Sequence, residues 1–200
     1  MGLTRIPAVP ESEAGWAGRL IYRFARRRLG QVPEPFAVTR HHTGVFWASI
    51  VAEMSYQRAC KRLPLTVREL AVYRTATLVG CQWCVDFGTM LQRLEGLDIE
   101  RLKHIDEYAT SPLYSPVERM AIAYADAMTA LPTAVTDEQV AELEKALGRD
   151  GLIELTTQIG LENMRARVNH ALGITGQGFD AACAVRLGQV SPEAGSASRG

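Results

Sequence analysis

The sequence contains no apolar run of the roughly 18–20 residues that a membrane-spanning helix needs, because a charge or a glycine interrupts every candidate. Residues 1–10 show no basic stretch followed by an apolar one, as a secretory signal would, and Ile6 stands where a myristoylation signal wants Ser or Thr. These absences give the expectation of a cytoplasmic protein with no membrane partner. Net charge is absent too: 22 Lys and Arg balance 22 Asp and Glu, so no overall positive field invites a nucleic acid. The balance is uneven along the chain. Residues 1–62 carry ten basic and four acidic side chains, and the remainder carries twelve and eighteen. Charges meeting across a subunit or intra-chain interface explain this better than an anionic partner for the N-terminal part.

Cysteine and histidine are scarce. Four cysteines in a chain of this class do not make a disulfide framework. Cys60 and Cys183 stand alone among apolar residues and read as buried, inert thiols. Cys81 and Cys84 differ, since they form a C-x-x-C pair around Gln82 and Trp83. There is no second such pair. His41, His42, His104 and His170 lie at no zinc-finger spacing from it, so redox use ranks first, a chemically silent pair second and metal binding third. No metal and no cofactor are expected.

Period-two alternation is also missing, while helix signals are dense, so the expected fold class is all-α. Thr66 and Glu69 are spaced as a capping box, Ser115-Pro116 with Glu118 as a helix start, and Thr136 with Gln139 as another. Gly148 and Gly173 are placed as helix stops, and Asp98 as the cap of a short helix through Ile99, Leu102, Ile105 and Tyr108. Three regions are expected: a basic helical N-terminal extension at 1–35, a helical domain at 36–188 and a disordered tail at 189–200. In the extension, Trp16, Leu20, Ile21 and Phe24 share helical spacing beside several arginines. Their apolar side is expected to pack on the protein's own core or on a neighbour, rather than on a membrane.

Gly80 before the pair can end one helix and let the next begin at the cysteines. A thiol in a helix's first turn meets unpaired amides and the positive end of the dipole, and both favour thiolate. The two-residue spacing lets the sulfurs meet, so the pair can cycle between dithiol and disulfide. Asp86, two residues past Cys84, is a candidate base or orienting group; the competing reading is a first-turn acid that favours the dipole, and a nearby carboxylate would raise the thiol's pKa. Trp83 can shield the sulfurs or line an apolar pocket. Arg165, Arg167 and His170 near Glu162 read as ion pairs at an oligomer interface, with substrate-carboxylate binding second.

From Glu69 the chain runs Glu, eleven residues, Cys, two residues, Cys. This resembles the core of the alkyl hydroperoxidase D / carboxymuconolactone decarboxylase family, and the stretches Glu162-Asn163 and Asn169 to Gly173 resemble late segments of it. The resemblance implies a multi-helix bundle that assembles as a homo-oligomer, a trimer or hexamer. It implies an oxidoreductase that reduces a small-molecule peroxide or disulfide and is recharged by a thiol or dihydrolipoyl reductant. Cys84 would attack, Cys81 would resolve, and Glu69 would belong to a proton relay. Two departures stand out: the relay histidine expected four residues past Cys84 is Gly88, and a histidine found inside some family pairs is Trp83. Glu69 and Cys81 are also twelve residues apart, about 18 Å along an unbroken helix, so they meet only if the chain turns between them or a partner subunit intervenes. The alternatives are a non-catalytic or redox-sensing helical oligomer and a carboxymuconolactone decarboxylase-like enzyme without redox chemistry.

Overall fold

The structure, a computed structural model, describes residues 4–179. The expected tail, Cys183 and the end of the domain expected to reach residue 188 lie outside the described residues. Among the described residues the chain is helical, without strands: α1 (Gly15–Leu29), α2 (Glu34–Thr39), α3 (Thr43–Ala59), α4 (Leu65–Val79), α5 (Gln82–Leu94), a 3-10 helix (Glu100–Glu107), α6 (Pro116–Thr129) and α7 (Asp137–Ala171).

Most expected boundaries follow from local chemistry. Glu118 Oε2 accepts from the Ser115 amide at 2.8 Å and from its hydroxyl at 2.9 Å, holding the start of α6. At α7, Gln139 N donates to Thr136 Oγ1 at 3.3 Å and Thr136 N to Gln139 Oε1 at 3.2 Å, a reciprocal capping box. Gly148, at φ +72°, breaks α7 into two helical pieces, and Gly173, at φ +69°, follows its end. Asp98, one residue before the cap position, accepts the Glu100 amide at 3.0 Å where the 3-10 helix starts, and Leu102 and Ile105 are buried along it.

Two readings need correction, and one is narrowed. The Thr66 capping box does not form: α4 begins two residues earlier, with the Pro64 carbonyl accepting from Arg68 N at 3.1 Å, and Glu69 turns to Arg68 instead of back to Thr66. The apolar stripe of α1, expected on the core or on a neighbour, is turned away from the protein's own core. Trp16 and Phe24 are 77% and 64% exposed, while Gly18, Tyr22 and Ala25 form the buried face. That face is chosen for closeness, since Arg40 Nε passes over Gly18 to the Ala14 carbonyl at 3.0 Å and a Cβ at Gly18 would lie 2.9 Å from it. Cys60 is half-buried at the end of α3, not enclosed.

α4 is the central helix and packs on α5, α6 and α7. Val67 and Ala71 face Ala121, Tyr124, Leu155 and Ile159; Leu70 faces the 3-10 helix; Ala76, near the other end, joins the cluster that holds the cysteines. The start of α4 is fixed from α7. The buried Glu154 carboxylate accepts the amides of Lys61, Arg62 and Leu63 at 2.8–3.0 Å, collecting three donors of the α3–α4 linker. Glu154→Ala leaves those donors without an acceptor and should cost about 3 kcal/mol or more, read as a lower urea midpoint at unchanged slope. A loss under about 1 kcal/mol would mean that water replaces the carboxylate and that the linker is not held this way.

Candidate functional site

α4 ends where Gly80 takes φ +76°, and its amide returns to the Thr77 carbonyl. A side chain is strained at that angle, so glycine permits a reversal that turns α5 back along α4. Cys81 becomes the N-cap of α5: its Sγ accepts the Cys84 amide at 3.2 Å. Cys81 and Cys84, with Cα atoms 5.3 Å apart, are joined as a disulfide. The pair lies in the first turn of α5, as its spacing suggested, and is buried, Cys81 at 1% and Cys84 at 7% exposed.

Around the sulfurs the walls are mostly apolar: Val38, Ala76, Met90, Ala166, Ile174 and Phe179. The polar exception is Asn169 near the end of α7, whose Nδ2 lies 3.5 Å from Cys84 Sγ and 3.9 Å from Cys81 Sγ. Trp83 joins an aromatic group, stacked on Phe87 at 4.6 Å and edge-on to Phe179 at 6.0 Å. Its indole N–H donates to Gln177 Oε1 at 2.7 Å, which also accepts the Glu34 amide at 2.7 Å, while Gln177 Nε2 donates to the Val32 carbonyl. Asp86 Oδ2 accepts the amides of Gln177 and Phe179 at 2.8 and 3.1 Å. Asp86 and Gln177 together strap the 174–179 stretch over the first turns of α5.

Glu69 lies elsewhere. Its backbone carbonyl meets Gln92 Nε2 at 3.4 Å, so it is level with a residue about 12 Å beyond Cys84 along α5. Its carboxylate pairs with Arg68 Nε at 2.7 Å. A second carboxylate, which the sequence did not single out as a site, shares this region. Glu162, buried on α7, accepts from Arg165 at 3.1 Å, and Arg165 reaches Glu53 on α3 at 2.9 Å. Arg165 therefore pairs within its own chain. Burial pushes the Glu162 carboxyl up to about 7; Arg165 opposes this, and the neighbouring Glu53 and Glu69 carboxylates add to it. Glu162 precedes Asn169 by seven residues, so this layer of carboxylates sits two helical turns from the sulfurs. At Gly88, where the relay histidine would stand, a Cβ would come 3.7 Å from the Tyr73 ring.

Asn169 and Gln177 were missed as site residues because each acts over 80 or more residues of sequence, and Glu162 because its burial is set by packing; the signals were the family-like stretches at Glu162 and Asn169 and the recurrence of Glu154, Gln158, Glu162 and Asn169 on one helix face. Among the described residues no group of three or more His, Cys, Asp or Glu gathers to hold a metal, and no helix is long and apolar enough to cross a membrane.

No protein-family model matches the chain. It is 30% identical over 177 residues to the uncharacterised protein YnjA of Escherichia coli (strain K12), covering 88% of this chain and 93% of that one. Among solved structures, the debrominase Bmp8, as a cysteine-to-alanine variant bound to 2,3,4-tribromopyrrole, aligns with TM-score 0.77 at 18% identity over 92% of this chain and 98% of its own. A peroxidase-related protein with the alkylhydroperoxidase AhpD core, from Ralstonia eutropha JMP134, aligns with TM-score 0.70 at 18% identity over 90% and 95%. The fold is therefore AhpD-like.

The raised carboxyl of Glu162 makes a pH prediction. The folded state holds that proton more tightly than the unfolded chain does, so stability falls as pH rises from about 4.5 to about 7. Glu162→Gln should remove this part of the slope, worth roughly 3 kcal/mol at about 1.4 kcal/mol per pKa unit, with the Arg165 pair already counted in the shift. Urea denaturation at pH 5 and pH 8 checks it; parallel pH dependence in both proteins would mean that Glu162 titrates normally.

Proposed function

We propose that this chain, which belongs to the same family as the Escherichia coli protein YnjA, is a thiol-dependent oxidoreductase that reduces peroxides or disulfides through Cys84 and Cys81. The observation that carries the reading is the cysteine pair at the first turn of α5, close enough to bond and touched by one buried amide. A pair held this way can lose and regain two electrons without moving the helices around it.

In the oxidative half, the Cys84 thiolate attacks the distal oxygen of a hydroperoxide, the O–O bond breaks, and the alkoxide leaves to be protonated. Cys84 is then a sulfenic acid. The Cys81 sulfur attacks it, hydroxide leaves as water once protonated, and the disulfide forms. A dithiol reductant, by resemblance a dihydrolipoyl group, returns both electrons through a mixed disulfide. Cys84 is assigned the attack by resemblance, and as a residue it is also the more exposed of the two, 7% against 1%. Asp86 is assigned to positioning, since its carboxylate receives two backbone amides of the 174–179 stretch. Protons for the leaving groups are assigned to the layer of Glu69 and Glu162, which stands in for the histidine absent at Gly88. Homo-oligomerisation is supported by α3: Phe46 alone of its side chains is buried, while Val45, Val51 and Met54 are each more than 40% exposed.

Reduced protein titrated with one equivalent of a hydroperoxide should lose two thiols and gain the Cys81–Cys84 disulfide. Cys81→Ser should stop at a sulfenic acid on Cys84, and Cys84→Ser should slow peroxide consumption at least a hundredfold, an order typical of losing a nucleophile. Thiols that survive excess peroxide and excess disulfide would falsify the activity. A bromopyrrole in the same titration tests the chemistry of the debrominase that shares the fold: bromide release with disulfide formation would change the substrate and keep the thiol reading. By sedimentation, micromolar protein should run as an oligomer and Val51→Glu should dissociate it; a monomeric wild type would overturn the assembly.

A further inference from the structure

We propose that Asn169 is a catalytic residue of this thiol site: its side-chain amide holds the charge of Cys84 and so decides which of the two cysteines reacts. The inference rests on the thiol reading above.

Asn169 is 5% exposed, and its Nδ2 points between the sulfurs, nearer Cys84 (3.5 Å) than Cys81 (3.9 Å). It is firmly placed. Its backbone carbonyl accepts the Ile174 amide at 3.0 Å across the reversal at Gly173, and Arg5 N donates to the next turn's Leu172 carbonyl at 2.9 Å. A neutral thiol or a disulfide sulfur is a weak acceptor and a thiolate is a strong one, so an N–H fixed at this place favours the charged form over the neutral one.

The two sulfurs are not served alike. Cys81, as the N-cap, already receives the Cys84 amide at 3.2 Å. Left to the helix alone, Cys81 would hold a negative charge better, and Cys81 is the less accessible of the two. Asn169 gives Cys84 the donor that the backbone gives Cys81, moving charge to the sulfur that a substrate reaches first. The other charges on elements packed around the pair are placed differently. Asp86 on α5 is bound to the amides of Gln177 and Phe179, the Arg5 guanidinium is on the Ala171 carbonyl, and Glu34 heads α2. Glu69 on α4 and Glu162 with Arg165 on α7 lie two turns off.

The test is alkylation of the reduced full-length protein with limiting iodoacetamide from pH 5 to pH 9, each cysteine quantified by mass spectrometry. In the wild type, Cys84 should be the preferred site. In Asn169→Ala the Cys84 midpoint should rise by about one pH unit, roughly a tenfold slower reaction below the midpoint, and preference should pass to Cys81. Asn169→Asp keeps the shape and brings a like charge, so it should raise the midpoint further; it also serves if the alanine variant fails to fold. Wild-type midpoints and site preference in both variants would overturn the proposal, as would a wild type that prefers Cys81. Because alkylation needs no peroxide, it can succeed in a protein inert to peroxide, which would refute the activity alone; normal peroxide turnover in Asn169→Ala with unshifted midpoints would refute the role of Asn169 alone.

Discussion

The need to partner polar groups on the buried face of α7 organises this molecule. Glu154, Gln158, Glu162 and Asn169 share that face and are all buried, and a polar group taken from water without a partner costs stability. The partners that three of them find define the functional half of the fold. Glu154 gathers the amides before α4 and sets where that helix starts; Glu162 takes Arg165, which in turn reaches α3; Asn169 takes the sulfurs. Between these polar storeys Leu155, Ile159 and Ala166 are fully buried. One helix thus fixes the position of α4, ties in α3 and touches the cysteine pair.

Because α4 is held at its start by Glu154 and released at its end by Gly80, the cysteines have a defined place. The left-handed turn at Gly80 needs no partner, only the absence of a Cβ. It also lets α5 begin with Cys81 as its cap, so the same reversal that folds α5 onto α4 supplies the first hydrogen bond to a sulfur. The strap from Asp86 and Gln177 then closes the other side, placing Ile174 and Phe179 against the pair. Trp83, which stands between the cysteines in sequence, belongs to that strap through its indole N–H.

What could be read from the sequence was what a few neighbouring residues determine. The starts at Ser115 and Thr136, the breaks at Gly148 and Gly173 and the cysteine cap after Gly80 need only local chemistry. The Thr66 box failed because its competitor is distant: with the linker amides already taken by Glu154, the helix starts two residues sooner and Glu69 finds Arg68. The buried face of α1 was not legible for a related reason. Its apolar residues have the right period, but Gly18 and Ala25 on the other side allow closer approach, and a hydrophobic pattern alone does not register distance. Asn169 and Gln177 act across 85 to 145 residues, where no spacing rule reaches.

The missing histidine bears on this more than on the fold. A histidine is useful in proton transfer because its unperturbed pKa lies near neutrality. Glu162 arrives at about 7 by another route, through burial that penalises its charged form more than Arg165 relieves it. On the thiol reading proposed above, desolvation gives a carboxyl the proton affinity that ring chemistry gives a histidine. The substitution has a geometric consequence. Glu162 stands two helical turns from the sulfurs, with Ala166 between, whereas a side chain at Gly88 would stand one turn from Cys84. On the same reading, a proton held at Glu162 reaches the sulfurs only through a relay across those two turns.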